Sequence, residues 1–338
     1  MNIVYSSSDS YTEMAGTSMV SLFENNKDIV EINLYIIDNG IMEANRKNLF
    51  SIADKYGRNI VFLKNLDIEK MANTKIKVGR WHISTFYRLF LSSILPKTVD
   101  KVMYIDCDMI ILHSLKNIWE MDMQDNFAMG ADDCRGGSYR LNIGLESEHI
   151  YINNGFLLID LKAWRENNIE EKYLEFINRY NGDITYMDQG VLNGVLGLMN
   201  KVGLLSLKYN AQTVFYDFNY KQIKQYRKPV FAYSQKEYEY AIKNPIIVHF
   251  TSCFISGTRP WNVKNNHVLR DRFLQYREMT PWKGKAHWVD DRRMPKKLMT
   301  IVCNLLPLSL VLTMISIVHS KLYPMVRNIK NRVSNRKI

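Results

Sequence analysis

A rhythm in the first third of the chain narrows its fold more than any other feature. Four short apolar runs occur there: NIVYSS from Asn2, EINLYIID from Glu31, NIVFLKN from Asn59 and KVMYIDCDMII from Lys101. Between them lie stretches of helix-plus-loop length. Runs of this kind read as strands, and strands alternating with helices build βαβ units and a parallel sheet covered on both faces. Beyond them, FAMGAD from Phe127 and IYINNGFLLIDL from Ile150 read as further strands. The charged segment KAWRENNIEEKYLEFINRY predicts one amphipathic helix, and MDQGVLNGVLG predicts another after a turn at Asn181-Gly182. PIIVHFTS from Pro245 reads as a late strand that closes the body before GTRPW.

At 338 residues there is room for one large α/β domain or two small ones. The net charge of +11 informs only once it is located. From Lys283 onward there are twelve Lys and Arg against Asp290 and Asp291, a net +10, which leaves +1 for the first 282 residues. The basic character belongs to a tail, not to a body shaped for nucleic acid, and no nucleic-acid partner is expected. The four cysteines, Cys107, Cys134, Cys253 and Cys303, are far apart and form no C-x-x-C pair. That argues against a disulfide framework or a cysteine-rich zinc site and suits a reducing cytosol. MNIVYSSSDSY offers no charged n-region and too short an apolar run for a signal peptide, so the expected location is cytoplasmic.

The tail divides into a polar linker KGKAHWVDDRRMPKK, an apolar run LMTIVCNLLPLSLVLTMISIVHS and a basic end KLYPMVRNIKNRVSNRKI. The apolar run approaches bilayer-spanning length, but Asn304 and Pro307 interrupt it. Both flanks are basic, so positive charge gives no orientation. The preferred reading is an in-plane membrane helix or hairpin on the anionic inner face of the cell membrane, with a single span second. A helix packed on the body is the third reading. Domain boundaries are expected at 1–282 for a catalytic body and 283–338 for a membrane-attachment segment, and the body alone should suffice for work on a soluble substrate.

Chemistry concentrates in KVMYIDCDMII. Asp106 and Asp108 alternate on one predicted strand and would share a face. At about 6 Å and an effective dielectric near 20, their repulsion is roughly 3 kcal/mol, so something positive should offset it. They fall at the carboxyl end of the fourth strand, where open parallel sheets bind ligands. Two oxygen donors suit a hard cation such as Mg²⁺ or Mn²⁺. As a bare pattern D-x-D is weak, and a solvated strand-end turn capped by Asp108 is the plainer alternative. His249 also ends an apolar run; it is either a packed, hydrogen-bonded residue or a third ligand, whose nitrogen would shift preference toward Mn²⁺. A metal half-coordinated by protein usually completes its shell with phosphates, which points to a nucleotide diphosphate. The sequence contains no H-E-x-x-H, P-loop or G-x-G-x-x-G.

In order along the chain, these segments resemble glycosyltransferase family 8, the retaining nucleotide-sugar transferases that include lipopolysaccharide galactosyl- and glucosyltransferases and glycogenin. NIVYSSSDSY is similar to the uridine-binding first strand and loop, which implies roles for Ser6, Ser8 and Asp9. HISTFYRL resembles the segment whose arginine, here Arg88, lies near the donor. YIDCD resembles the metal-binding strand, and YINNGFLLIDLKAWR the donor-sugar segment, which would set Asn153 and Gly155 against the sugar. MDQGVLNG resembles the segment carrying Asp188 and Gln189, and HF…RPW the closing metal-and-phosphate loop with Gly257 and Arg259. The resemblance runs from about Asn2 to Trp261 and implies a GT-A type α/β fold with a mostly parallel central sheet; the expected membrane-associating helical tail lies beyond it. The resemblance also implies Mn²⁺ (or Mg²⁺) on Asp106, Asp108 and His249, a UDP-hexose donor and a glycan or glycolipid acceptor.

The sequence also departs from the family. Ser8 stands where the family often has aspartate, and Asp9 is the candidate to take over the uracil contact. The loop after His249 is longer than usual, and its base is Arg259 rather than lysine. Asp132 and Asp133 compete for the donor-sugar hydroxyl, with Asp133 preferred. Gln189 or Asp188 would serve as nucleophile in a covalent route, and a front-face route needs neither. Rival readings are a sugar nucleotidyltransferase, although SSSDSY lacks the Gly-rich basic loop expected of one, and a membrane-tethered, non-catalytic sugar-binding protein.

Overall fold

The computed structural model describes residues 1–64, 67–79, 82–230 and 233–335, with side chains described as far as residue 329. Among them, ten strands form two sheets. They are β1 (Asn2–Ser8), β2 (Asn33–Asn39), β3 (Asn59–Lys64), β4 (Lys101–Ile105) and β5 (Met109–Ile111), then β6 (Ala128–Ala131), β7 (Phe156–Asp160), β8 (Val202–Leu205), β9 (Ala211–Gln212) and β10 (Ile247–His249). The seven-stranded sheet has the order β3-β2-β1-β4-β7-β6-β8, and a small sheet has the order β5-β10-β9.

In the large sheet β1 pairs in parallel with β2 and β4, β2 with β3, and β6 with β8. Only β7 runs against its neighbours, β4 and β6. The period-two alternation of the sequence maps directly onto the two faces. Ile3, Tyr5, Leu34, Ile36, Met103 and Ile105 enter one hydrophobic core, together with the helix Thr12–Glu24. Val4, Tyr35, Ile37, Val102 and Tyr104 enter the other, beneath the helices Ile169–Arg179 and Met187–Leu198. The reversal of β7 matters for function, because its amino-terminal end then meets the carboxyl end of β4. There Asp106 N donates to Gly155 O at 2.8 Å, and Asn153, Asn154 and Gly155 join the rim where β1 and β4 end.

Two expectations are revised in detail. The run 101–111 is not one strand: β4 stays in the large sheet, and β5 leaves it to pair antiparallel with β10. The break falls at Asp106-Cys107-Asp108, so the carboxylates sit in the crossing between sheets rather than on a continuous pleat. The predicted helix 162–180 is likewise two, Leu161–Glu166 and Ile169–Arg179, divided at Asn168 in the left-handed region with φ 50°.

The segment expected to be a polar linker packs on the body. Trp288 N donates to Trp261 O at 3.0 Å, and Val263 N donates to Trp288 O at 2.8 Å. Three helices follow, Met294–Leu305, Leu308–Ile317 and Tyr323–Asn335, joined by a break at Leu306-Pro307 and a π-turn over Val318–Leu322. Val311, Leu312 and Ser316 are buried, while Leu305, Leu310, Met314, Met325, Val326 and Ile329 stay exposed. A stretch of 22 residues, Leu308–Ile329, is long and apolar enough to cross a membrane by length and composition alone. One face of the tail thus covers the body and another leaves apolar side chains bare.

Candidate active site

The carboxylates at the β4–β5 crossing are each held at one oxygen by an arginine. Asp106 Oδ1 takes Arg88 Nη2 at 2.9 Å and the Tyr104 hydroxyl at 3.1 Å. Asp108 Oδ2 takes Arg259 Nη1 at 2.9 Å. The second oxygens turn toward His249, whose Nε2 lies 3.9 Å from Asp106 Oδ2 and 3.2 Å from Asp108 Oδ1. One ligand atom from each of the three residues falls within 4.8 Å of the other two. With metal–oxygen bonds of about 2.1 Å, ligand atoms around an octahedral cation lie roughly 3.0 to 4.2 Å apart. Two carboxylate oxygens and an imidazole nitrogen at these separations fit a divalent cation.

The orientation of His249 is built in. Asn210 Nδ2 donates to Asn153 Oδ1 at 2.8 Å, which turns the Asn210 oxygen to His249 Nδ1 at 3.0 Å. Nδ1–H therefore donates, and the lone pair of Nε2 faces the carboxylates, as a ligating histidine requires. Gly155 makes room for the ring: a Cβ there would lie 2.4 Å from His249 Cε1 and 2.7 Å from Met109 Cε. Burial raises the Asp108 carboxyl, while His249, when Nε2 also carries a proton, and Arg259 outweigh it and hold it low.

Arg88 ties this rim to the next. It lies in the 3₁₀ segment Ile83–Phe90, is buried, and stacks over Tyr104 at 4.4 Å. Its Nη1 donates to Asn154 O at 2.6 Å, and its Nε lies 3.1 Å from Asp188 Oδ2. Burial pushes the Asp188 carboxyl up, against the pull of Arg88 and a hydrogen bond from Asn154. In the first turn of Met187–Leu198, Gln189 Nε2 donates to Asp133 Oδ2 at 3.2 Å, and Gln189 Oε1 accepts from Asn153 Nδ2 at 3.2 Å.

The neighbouring aspartates differ. Asp133 accepts from Arg135, Gln189, Asn153 and Gln212. Burial would raise it, but Arg135 and Arg227, with the hydrogen bonds of Arg135 and Gln212, hold it at about 2. Burial lifts Asp132 to about 7 against Arg140 and the Cys134 amide. Asp132 thus pairs with a buried arginine, and Asp133 joins the Gln189–Asn153 network.

The other sequence candidates are placed as follows. Ser6 Oγ accepts from Asn39 at 2.9 Å, and the hydroxyls of Ser8 and Ser10 pair at 3.2 Å. Asp9 Oδ1 accepts from Met42 N at 2.9 Å and Asn45 Nδ2 at 2.7 Å, which ties the loop after β1 to the start of the helix Glu43–Lys55. Gly257 turns the closing loop with φ +71°, and a Cβ there would meet Arg292 Nη1 at 2.5 Å. Arg259 Nη1 also reaches the Tyr11 hydroxyl at 3.2 Å, so the closing loop reaches the metal-competent carboxylates. Sequence reading missed Tyr104, Asn154, Asn210, Gln212 and Arg135. Tyr104 alone had a signal, since a residue two before Asp106 shares its face.

Solved structures place this architecture. The galactosyltransferase LgtC, crystallised with donor and acceptor sugar analogues, matches with a TM-score of 0.69 and 26% identity over 84% of this chain and 100% of its own. The class is a GT-A-like α/β glycosyltransferase with a mostly parallel central sheet. The model of glycosyl transferase family 8 matches residues 2–265, and the chain belongs to that family. General stress protein A of Bacillus subtilis (strain 168) is 29% identical over 83% of this chain and 94% of its own length. A lipopolysaccharide 1,3-galactosyltransferase of Salmonella typhimurium is 23% identical over 84% and 80%.

Proposed function

We propose that the protein transfers a hexose, galactose or glucose, from a UDP-sugar to a lipid-linked or cell-surface glycan, with retention at the anomeric carbon. The observation that carries this reading is the convergence of Asp106 Oδ2, Asp108 Oδ1 and His249 Nε2 while arginines occupy the outer oxygens. A divalent cation held there, Mn²⁺ in preference to Mg²⁺, would supply charge stabilisation to the departing diphosphate. Arg259, on the closing loop beside Asp108, suits bidentate contact with the same phosphates. Ser6, Ser8 and Asp9 lie at the end of β1, where the uridine would sit, and Asp133, Asn153, Gly155 and Gln189 are assigned to the sugar. Asp188, paired to Arg88 and bonded by Asn154, is committed to holding the rim, which favours a front-face route over a covalent intermediate on that carboxylate. The bare apolar face and basic residues of 283–338 support attachment of the 1–282 body to the anionic inner face of the cell membrane.

The test is a screen of UDP-galactose and UDP-glucose hydrolysis and transfer, with Mn²⁺, with Mg²⁺ and with chelator. Sugar release that vanishes in chelator and returns best with Mn²⁺ is expected. Turnover indifferent to chelator would remove the metal, and consumption of UTP and a sugar phosphate with pyrophosphate release would make the protein a nucleotidyltransferase instead.

A further inference from the structure

The segment entering the catalytic helix is conformationally unusual. Asn181 and Gly182 both have positive φ, and after Asp183, Ile184 and Thr185 so do Tyr186 at 60° and Met187 at 50°. Two consecutive side-chain-bearing residues in the left-handed region persist only where the surroundings enforce them. The segment also folds back tightly on its own helix: a Cβ at Gly190 would lie 2.1 Å from Thr185 O. Asp188 and Gln189 follow at once, so any relaxation of this turn moves both.

The body holds the turn through Lys77 N, which donates to Gly182 O at 2.9 Å, and through Arg135 over the Tyr186 ring at 4.9 Å, and the tail adds a third hold. Arg327, on the helix Tyr323–Asn335, places Nη1 2.6 Å from Asp183 Oδ1, Nη2 2.9 Å from Asp183 O and Nε 3.2 Å from Thr185 Oγ1. One guanidinium thus makes three hydrogen bonds to two residues of the strained turn, and both Arg327 and Asp183 are largely shielded from water. Nearby, the Tyr139 hydroxyl donates to His319 O in the π-turn at 2.7 Å, and the Tyr139 ring lies tilted against Tyr186 with centroids 5.2 Å apart. On the same helix Met325, Val326 and Ile329 remain exposed, so the face that carries Arg327 is turned to the body and the bare face away from it. A tail that served only for attachment would leave donor hydrolysis untouched. These contacts argue otherwise.

We infer that Arg327 is a positioning residue for the transfer reaction: it clamps the turn 183–187 and thereby sets Asp188 and Gln189. The inference rests on the sugar-site reading of Gln189 and Asp188 given above. The clamp holds the sugar side of the cleft and makes no direct contact with the Asp106–Asp108–His249 rim, which it reaches only through Asp188 and Arg88. Its loss should therefore lower turnover far more than it weakens diphosphate binding.

The experiment uses the full chain as wild type, Arg327→Ala, Arg327→Lys and Lys321→Ala, the last an exposed tail residue outside the clamp. Arg327→Ala should lower kcat for UDP-hexose turnover about 100-fold, as misplacement of a catalytic geometry by an ångström does. Its affinity for UDP with Mn²⁺ should stay within a few-fold of the wild-type value. Arg327→Lys should recover part of the loss through a single bond to Asp183, and Lys321→Ala should match wild type. Hydrogen–deuterium exchange at the amides of 183–189 should rise in Arg327→Ala while that of the helix Leu308–Ile317 does not. If Arg327→Ala does not fold, Arg327→Gln carries the same measurements. Wild-type kcat, or unchanged exchange at 183–189, in a folded variant would overturn the clamp. If the wild type turns over no UDP-hexose, it is the functional reading that fails, and the exchange result alone decides the clamp.

Discussion

The two walls of the cleft are held in opposite ways. The wall carrying Asp106, Asp108 and His249 stands on β4, β5 and β10, where Ile105, Ile110 and Val248 are fully buried and paired on a ladder. Its charged groups sit at strand ends that the hydrophobic core has already fixed. The wall carrying Asp188 and Gln189 begins in a turn whose backbone is locally disfavoured and which a guanidinium holds from more than 140 residues away in the chain. The first wall inherits its order from the core, and the second takes part of its order from the tail. Charged ligands for a cation tolerate little error in distance, which suits the stiffer construction.

The difference can be probed from the strongest effect downward. Removing a carboxylate from the stiff wall should be worst: Asp108→Ala should cut transfer by more than about 1000-fold, several kcal/mol of electrostatic stabilisation. Asp106→Ala should match it in rate but also weaken folding, because Asp106 neutralises buried Arg88. Near-normal rates in steady-state assays with Mn²⁺ would break the assignment of that wall to the metal.

On the second wall, Gln189→Ala should cost about 100- to 1000-fold in kcat, the usual loss for one preorganised dipole, with stereochemistry retained in the residual product. Capture of a sugar adduct on Gln189 or Asp188 by mass spectrometry would replace the front-face route with a covalent one.

Asn210→Ala tests the stiff wall at one remove. It frees His249 Nδ1 without touching a carboxylate and also removes a bond to Asn153, so Mn²⁺ affinity should fall about 10- to 100-fold and kcat at saturating metal by much less. An Mn²⁺ titration of activity separates the two quantities, and a loss of kcat with unchanged affinity would move Asn210 to the sugar side.

The smallest effect belongs to the tail's outer face. Lys321→Ala should weaken sedimentation with anionic vesicles about fivefold, roughly 1 kcal/mol, and leave hydrolysis in solution unaltered. Binding that ignores salt and lipid charge would leave only the apolar side chains to explain attachment.

Much of this was legible in the chain itself. Alternating apolar residues gave β1, β2, β3 and β4 their places and their two-faced burial, and D-x-D with a strand-end histidine marked the stiff wall. The apolar run marked a tail with a bare apolar face. Periodicity reports which residues are buried, and burial is set locally by hydrophobicity. It does not report partners. That the apolar run 101–111 breaks at its carboxylates, that β7 runs backward to bring Asn153 and Gly155 beside Asp106, and that Asn210 turns His249 follow from sheet order, which joins residues tens of positions apart. Arg88 and Arg259 meet the repulsion between Asp106 and Asp108 from opposite ends of the body. Arg327 reaches Asp183 only because a tail with one bare apolar face lays its other face on the fold. A hydrogen bond needs two groups within about 3 Å, and only the folded chain decides which groups those are.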